Sequence, residues 1–384
     1  MRKYFRRSLG EPTQTADRRH DADLPFALLT LLLLAIGVTM VLSASFASAY
    51  YDLQGETGHD PTFFFSRQAV FALAGVGVMW LFSHIPMETY HRFSGAAMVL
   101  AALCLAAVPF FGTVVNGARR WISLGFTTFQ PSEITKIAII LYFSSLICKY
   151  KDRMRTFRYG IAPFAAILAL VAALLILEPH FSATIIIFLI GAAMLFLGGA
   201  RLGWFIGGGA ALLGLGTAAV LLVPYVAERV ASFLDPFSDP TGDGWQIVQS
   251  LYAIGSGGLT GLGLGMSRQK YLYLPEEHND FIFSVVCEEM GFIGASLILV
   301  LFAMLIVRGY QLAMRAPDRY GFLVGAGVTP MLALQILLNV AVCTSLVPCT
   351  GISLPFFSYG GTALLIQMAE AGIVLSLSRE IPFA

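Results

Sequence analysis

The run FALLTLLLLAIGVTMVLSASFAS at residues 26–48 carries no charged residue. An apolar segment of ~20 residues is long enough to cross the hydrocarbon core of a bilayer as a helix. Lipid offers no hydrogen bonds, so a single spanning segment must satisfy its backbone polar groups internally, which an α-helix does. The run therefore predicts a transmembrane helix.

Similar runs recur along almost the whole chain of 384 residues. The composition is 57% hydrophobic and only 12% charged, whereas about a quarter of the residues of a soluble domain are charged. We predict an all-α polytopic membrane protein with no nucleic-acid partner. The ten predicted transmembrane helices lie at 26–48, 67–85, 93–113, 132–149, 160–178, 181–199, 203–224, 281–307, 321–344 and 361–378.

The distribution of Lys and Arg predicts the orientation. With the N-terminus inside the cell, 17 of the 24 basic residues lie in cytoplasmic segments, as the positive-inside rule requires. We expect a cytoplasmic tail at 1–24 and one transmembrane domain at 25–380. Both termini are then cytoplasmic, and a large extracytoplasmic loop at 225–280 joins helices 7 and 8.

This loop ends in LPEEHNDF at 274–281, which places Asp280 where the chain re-enters lipid. A carboxylate at this depth costs several kcal/mol, and partial burial raises its pKa toward values that suit proton transfer. At 100° per residue Glu288 lies ~80° from Asp280 and ~12 Å deeper, where it could share a cavity with Asp280. Glu289 is expected to face a neighbouring helix.

Arg119 and Arg120 lie on the predicted outer side, against the general charge bias. The planar fork of arginine suits phosphate or carboxylate groups. The alternative is that both arginines anchor the chain to lipid headgroups, with Trp121 as an interfacial aromatic residue.

Glu133 and Lys136 lie one helical turn apart at the start of the fourth predicted helix. An ion pair just inside the membrane could be a structural contact or the floor of an anion site, and the spacing does not decide between them. His180 lies in the short turn between the fifth and sixth helices, where it could be a hydrogen-bonded structural group or a base.

Other features favour structural roles. The glycine-rich stretch 255–265 lacks the Lys-Ser pair and the strand-to-helix context of a nucleotide loop, so its glycines are expected to allow tight turns and close backbone approach over a lipid-bound ligand. Residues 348–361 carry no acid or base and are expected to form a rigid lid. The five cysteines have no metal-binding spacing, and no metal site is predicted.

The polar clusters, in this order, resemble the SEDS family of bacterial cell-wall proteins, which includes FtsW, RodA and SpoVE. The matching pieces are NGARRWI at 116–122, FQPSE at 129–133 with Lys136, GWQIVQSLYAIGSGGLTGLGLG at 244–265, LPEEHNDFIF at 274–283, EEMGFIG at 288–294 and TGISLPFFSYGG at 350–361.

The resemblance implies ten transmembrane helices and a peptidoglycan glycosyltransferase that polymerises lipid II at the outer face of the cytoplasmic membrane. It places the essential aspartate of the family at Asp280. The residues expected to bind the substrate, an undecaprenyl diphosphate-linked glycan, are Arg119, Arg120, Trp121, Glu133, Lys136, His180, Glu277 and Glu288. No cofactor is expected to be required, although a divalent cation could assist the diphosphate.

The implied partners are a class B penicillin-binding protein and other proteins of the division or elongation machinery. Many members carry an aspartate where this chain has His180, which puts a carboxylate role at that position in question. The form Glu-Pro-His at 178–180 favours the FtsW and SpoVE types over RodA. Two other functions stay open, a lipid II flippase and a scaffold that only recruits the transpeptidase.

Overall fold

The computed structural model describes residues 20–52, 55, 57–115, 118–125, 127–178, 180–222, 224–240, 242 and 244–382. The predicted tail at 1–24 therefore lies mostly outside the described residues. The helices, in chain order, are α1 (Leu24–Tyr51), α2 (Phe63–His84), α3 (Met87–Phe111), α4 (Pro131–Tyr150), α5 (Phe157–Gly160), α6 (Ala162–Leu177), α7 (Phe181–Leu197), α8 (Leu202–Leu222), α9 (Pro224–Leu234), α10 (Trp245–Gly257), α11 (Ile282–Met314), α12 (Arg319–Cys343) and α13 (Gly361–Arg379).

The long helices form a bundle that matches the predicted all-α membrane fold. Within the described residues, eight helical segments are long and apolar enough to cross a membrane, and α7 is a shorter apolar helix. Helix α8 coincides with the remaining predicted span, so the number of ten spans stays a prediction. The most deeply buried of the long helices, α4, α12 and α13, occupy the centre of the bundle.

The ends of α3 and α4 are joined by a small antiparallel sheet that the sequence did not predict. Its strands are β1 (Gly112–Val115), β2 (Ala118–Ser123) and β3 (Thr128–Phe129), in the order β1-β2-β3. It lies at the same end of the bundle as Asp280, and we call this the Asp280 end. The hydroxyl of Thr362, in the first turn of α13, donates to the carbonyl of Thr128 and ties the sheet to the bundle.

The opposite end of the bundle is tied together by the chain termini. Arg308 donates to both carboxylate oxygens of Asp23, at 3.0 and 2.5 Å. The backbone N–H of His20 donates to the carbonyl of Arg379, and that of Met87 donates to the Glu380 carboxylate. These contacts join α1, α3, α11 and α13 at one level.

The segment predicted as an outer loop at 225–280 contains α9 and α10, and part of it inserts into the bundle. Helix α11 is broken at Gly291, whose φ of 65° belongs to the left-handed region. The backbone N–H groups of Leu262 and Gly263 donate to the carbonyls of Glu288 and Glu289, while those of Phe292 and Ile293 donate to Gly258 and Leu259. The inserted segment therefore satisfies the backbone groups that the break would leave unpaired.

The break explains the glycines of this segment. A Cβ atom on Gly291 would lie 2.2 Å from the backbone nitrogen of Gly261, and one on Gly261 would lie 2.1 Å from the Glu289 carbonyl oxygen. The glycines allow close backbone approach, as the sequence predicted. The backbone that the inserted segment approaches is α11 of the protein and not a ligand.

We predict that Gly291→Ala destabilises the protein by several kcal/mol, because the methyl group meets backbone atoms and the φ value is strained for alanine. Melting of the detergent-purified protein measures the effect. Gly77→Ala in α2 is the matched control, because a Cβ there meets no atom within 4 Å. Equal melting temperatures for the two variants would contradict the role assigned to the break.

Candidate active site

Asp280 precedes α11 by two residues and is held through its backbone. Its carbonyl accepts from the Asn339 amide at 2.8 Å and from the Cys343 thiol at 3.6 Å. The carbonyl groups of the two preceding residues accept from the lid, His278 from the N–H of Tyr359 and Asn279 from the hydroxyl of Ser358. The lid and α12 therefore fix the position of the carboxylate.

The Asp280 side chain is half-buried beside the lid. A Cβ on Gly351 would lie 2.9 Å from its Oδ2 atom, so only glycine leaves this oxygen unobstructed. Desolvation by the surrounding protein, together with the charge of Glu276, raises the pKa of Asp280 to about 7, against the opposing charges of Arg120 and His278. A carboxyl with this pKa exchanges protons at neutral pH.

The β2 strand separates the two adjacent arginines. Successive side chains of a strand point to opposite faces. Arg119 is exposed and donates to the carbonyl of Pro109 at 3.2 Å, whereas Arg120 is half-buried and its charge acts on Asp280, Glu178 and His180. The sequence predicted the same role for both arginines, but in the structure only Arg120 faces the other charged residues.

The turn between α6 and α7 brings two further groups to Arg120. Glu178 is 1% exposed, and among the described residues neither of its carboxylate oxygens has a hydrogen-bond partner. Burial raises the pKa of Glu178 to about 8, against the opposing charge of Arg120. Burial lowers the pKa of His180 to about 3, so its ring is neutral, and its Nε2 lies 3.4 Å from the amide nitrogen of Gln130.

Glu133 and Lys136 form the predicted ion pair inside the bundle. The Lys136 Nζ lies 2.8 and 2.9 Å from the two carboxylate oxygens of Glu133, and both side chains are buried. Glu370 of α13, which no sequence pattern indicates, lies close enough to interact with both charges. It is fully buried, and neither oxygen has a hydrogen-bond partner within the described chain.

The structure places Glu288 differently from its prediction. Its carboxylate accepts from the Ser267 hydroxyl and from the backbone N–H groups of Arg268 and Gln269. The charged groups that influence Asp280 within the described residues are Glu276, Arg120 and His278, without Glu288. The projection of 80° assumed a helix that extends back to Asp280, whereas α11 begins at Ile282. A shared cavity with Asp280 stays a prediction.

Glu277 and Trp121 are the two remaining residues that the sequence predicted for the site. Glu277 is buried, with a carboxylate oxygen 3.5 Å from His278 Nδ1 and no hydrogen bond between these two atoms. The His278 ring packs against Phe64, with centroids 4.6 Å apart. Trp121 is half-buried opposite Thr113 in the β1–β2 pair, and Asn116 and Gly117 of its motif lie outside the described residues.

The Asp280 end therefore brings together an aspartate whose pKa is raised to about 7, a cation whose charge acts on three titratable groups, and a buried ion pair. With the apolar helices, this defines a polytopic membrane protein that has a cluster of titratable residues at one end of its bundle. Residues 24–381 match the family model FTSW_RODA_SPOVE, described as cell cycle protein, and the chain belongs to this family. It is a multi-pass protein of the bacterial cytoplasmic membrane.

Relatives cover nearly the whole chain. Stage V sporulation protein E of Bacillus subtilis is 40% identical over 366 residues, which is 94% of this chain and 98% of that protein. A probable peptidoglycan glycosyltransferase FtsW of Trichlorobacter lovleyi is 38% identical and covers 96% of each chain. Both similarities agree with the expected family.

Solved structures share the fold. A chain of a peptidoglycan synthase complex, described as coordinating polymerization and crosslinking, superposes with a TM-score of 0.76 at 28% identity and covers 93% of this chain and 98% of its own. The rod shape determining protein RodA of Thermus thermophilus gives 0.69 at 26% identity, covering 97% of this chain and 100% of its own.

The raised pKa of Glu178 predicts a pH-dependent stability. In the folded protein the Glu178 carboxyl keeps its proton to about pH 8, whereas an exposed glutamate has a pKa of 4.5. The protonated carboxyl therefore stabilises the folded protein fully below pH 4.5, and this stabilisation is lost as the pH rises through 8. The pKa of Asp280 is raised from 3.8 to about 7, which adds a pH dependence of the same sign. We predict that the melting temperature falls by roughly 5 °C between about pH 5 and 8.

Glu178→Gln should reduce this dependence, because the amide cannot ionise and only the contribution of Asp280 remains. Glu88→Gln, at an exposed glutamate of the opposite end, is the control and should keep the wild-type slope. A Glu178→Gln variant with the full wild-type dependence would show that Glu178 is not a buried protonated acid.

Proposed function

We propose that the protein is a peptidoglycan glycosyltransferase that polymerises lipid II at the outer face of the cytoplasmic membrane, with Asp280 as general base. The observation that carries the proposal is the arrangement around Arg120, where one guanidinium acts on Asp280, Glu178 and His180. The named relatives and the peptidoglycan synthase complex support the same chemistry.

In the proposed reaction, the 4-hydroxyl oxygen of the acceptor disaccharide attacks the anomeric carbon of the donor sugar. The new glycosidic bond forms as the bond to the undecaprenyl diphosphate breaks, and the configuration inverts. The hydroxyl proton passes to Asp280, and the electron pair of the broken bond leaves with the diphosphate. A base with a pKa near 7 suits this transfer, because about half of it is unprotonated at neutral pH and it is basic enough to accept the proton.

The departing diphosphate needs positive charge in a poorly hydrated cleft. Arg120 is the cation nearest to Asp280 in electrostatic terms, and Lys136 lies deeper with its charge already compensated by Glu133. We therefore assign the diphosphate to Arg120 first, with Arg119 at the exposed rim. No resident cofactor is proposed, and a divalent cation would enter together with the diphosphate.

The distribution of buried charge favours an enzyme over a flippase. The buried charged residues cluster between the Asp280 end and the middle of the bundle, and within the described part of the chain none lies buried in the opposite half. Translocation needs polar groups along a path to the other side. Vesicles that contain lipid II separate the two functions, since polymer indicates the enzyme and leaflet exchange without polymer indicates the flippase.

We further propose that a class B penicillin-binding protein supplies crosslinking and that both termini face the cytoplasm. The solved structure of a peptidoglycan synthase complex supports the partnership, and the arginine and lysine bias supports the orientation. A pure scaffold would not need the buried groups around Arg120.

Asp280→Asn should reduce polymerisation of purified lipid II by at least about 100-fold, because the amide cannot accept the proton. Asp235→Asn, at an exposed aspartate of the loop, is the matched control and should keep wild-type activity. The wild-type rate should rise with pH up to about 7 and then level off, since only the ionised carboxylate acts as a base. Substantial polymer from Asp280→Asn would remove Asp280 as the base.

Arg120→Gln and Arg119→Gln should differ. Loss of Arg120 should lower kcat/KM for lipid II by roughly 10–100-fold, as expected for the loss of a charge-assisted hydrogen bond. It should also move the rising limb of the pH profile to higher pH, because this cation lowers the pKa of Asp280. Loss of Arg119 should leave that limb in place. If the two variants have identical pH profiles, both arginines are only anchors to lipid headgroups.

A further inference from the structure

An open cavity of about 570 Å³ lies at the opposite end of the bundle from Asp280. It is formed where α4 ends, in the 3₁₀ turn at Lys151–Arg155 that leads to α5. Its lining consists of three cations, one carboxylate and two tyrosines, namely Lys149, Lys151, Arg153, Asp152, Tyr150 and Tyr159. The proposed polymerisation at the other end uses none of these residues.

The cations of this cavity have no anionic partner among the described residues. The ion pairs among all described residues involve Lys136, Lys270, His278 and Arg308. None of these pairs includes a basic residue of 149–158. The guanidinium groups of Arg153 and Arg158 instead lie 5.3 and 5.7 Å from the centroid of the Tyr159 ring. Three cations that line one cavity with a single carboxylate, Asp152, leave a positive field open to an anion.

The backbone beneath the cavity has a defined shape. Lys151 has a φ of 40°, which a side chain rarely adopts, and its N–H donates to the carbonyl of Ile147. Met154 is buried beneath the turn, and Gly160 packs so tightly on it that a Cβ would lie 1.8 Å from the Met154 carbonyl oxygen. The cations therefore project from a turn that two close contacts keep in place.

The cavity lies at the level of the membrane surface. It adjoins the end of one candidate span, Pro131–Arg155, and the beginning of the next, Phe157–Leu177. The exposed rings of Phe157 and Trp204 pack together nearby, with centroids 5.4 Å apart. Exposed aromatic residues of this kind mark the boundary between headgroups and hydrocarbon.

We propose that this cavity binds the phosphate headgroup of an anionic phospholipid. Three cations beside one carboxylate leave a net positive site, and basic pockets between helix ends at the membrane surface are suited to such headgroups. The half-buried Tyr150 and Tyr159, with centroids 5.4 Å apart, form an apolar wall against which the glycerol portion of the lipid can lie.

The test uses the full chain in nanodiscs of phosphatidylcholine that contain a spin-labelled phosphatidylglycerol or a spin-labelled phosphatidylcholine as probe. The wild type should immobilise the anionic probe preferentially. Lys151→Gln combined with Arg153→Gln should reduce this preference by roughly 30-fold, since each of the two cations near the surface contributes ~1 kcal/mol. Arg92→Gln combined with Arg315→Gln removes two exposed cations of the same end outside the cavity and is the matched control.

If the two double variants lose the preference for the anionic probe equally, the proposal is overturned. The preference then comes from the general positive charge of that surface. Inorganic phosphate and inorganic diphosphate at millimolar concentration form the second arm. If either displaces the anionic probe from the wild type, the cavity is a site for soluble phosphate and the lipid assignment is wrong. The readout does not depend on polymerisation, so failure of the proposed enzymatic function leaves this result unaffected.

Discussion

The break in α11 is the constraint on which the candidate site depends. A helix interrupted inside a membrane exposes N–H and C=O groups that lipid cannot satisfy. Here the chain before the helix returns to the break and forms hydrogen bonds in both directions. The N–H groups of Leu262 and Gly263 donate to carbonyls of the first half of α11, and those of Phe292 and Ile293 in the second half donate to the inserted segment. The segment that carries Asp280 is consequently fixed at the break as well as at the start of α11.

Buried charges reinforce the same arrangement. Glu289 accepts from Ser43 of α1 at 2.7 Å and from Lys270 at 2.9 Å, while Glu288 accepts from the backbone of the inserted segment. Removing one partner of a buried ion pair typically costs 3–5 kcal/mol, because the other charge remains without compensation. The acidic pair at 288–289 thus serves mainly to hold the inserted segment, and Asp280 is the carboxylate that this framework leaves available.

The sequence predicted the membrane fold and the approximate helix positions, because both depend on local hydropathy. The role of Asp280 stays a prediction, which follows from the cost of a charge in lipid and from the family resemblance. The sequence also predicted the contact between Glu133 and Lys136, whose spacing of three residues places them on one helix face. It could not predict which arginine faces the site, since that depends on the β2 strand, or the loss of Glu288 to the inserted segment. Glu370 and Glu178 meet their neighbours only through packing between distant helices, which no local pattern reports.

The charges around Asp280 make Arg120 a regulator of its proton affinity. Desolvation and Glu276 raise the pKa of this carboxyl, and Arg120 opposes them first, followed by His278, with the result near neutrality. A donor diphosphate drawn to Arg120 would neutralise that opposition and make Asp280 more basic as the complex forms. The same anion would therefore strengthen the base while it occupies the place of the leaving group, which couples substrate binding to proton abstraction.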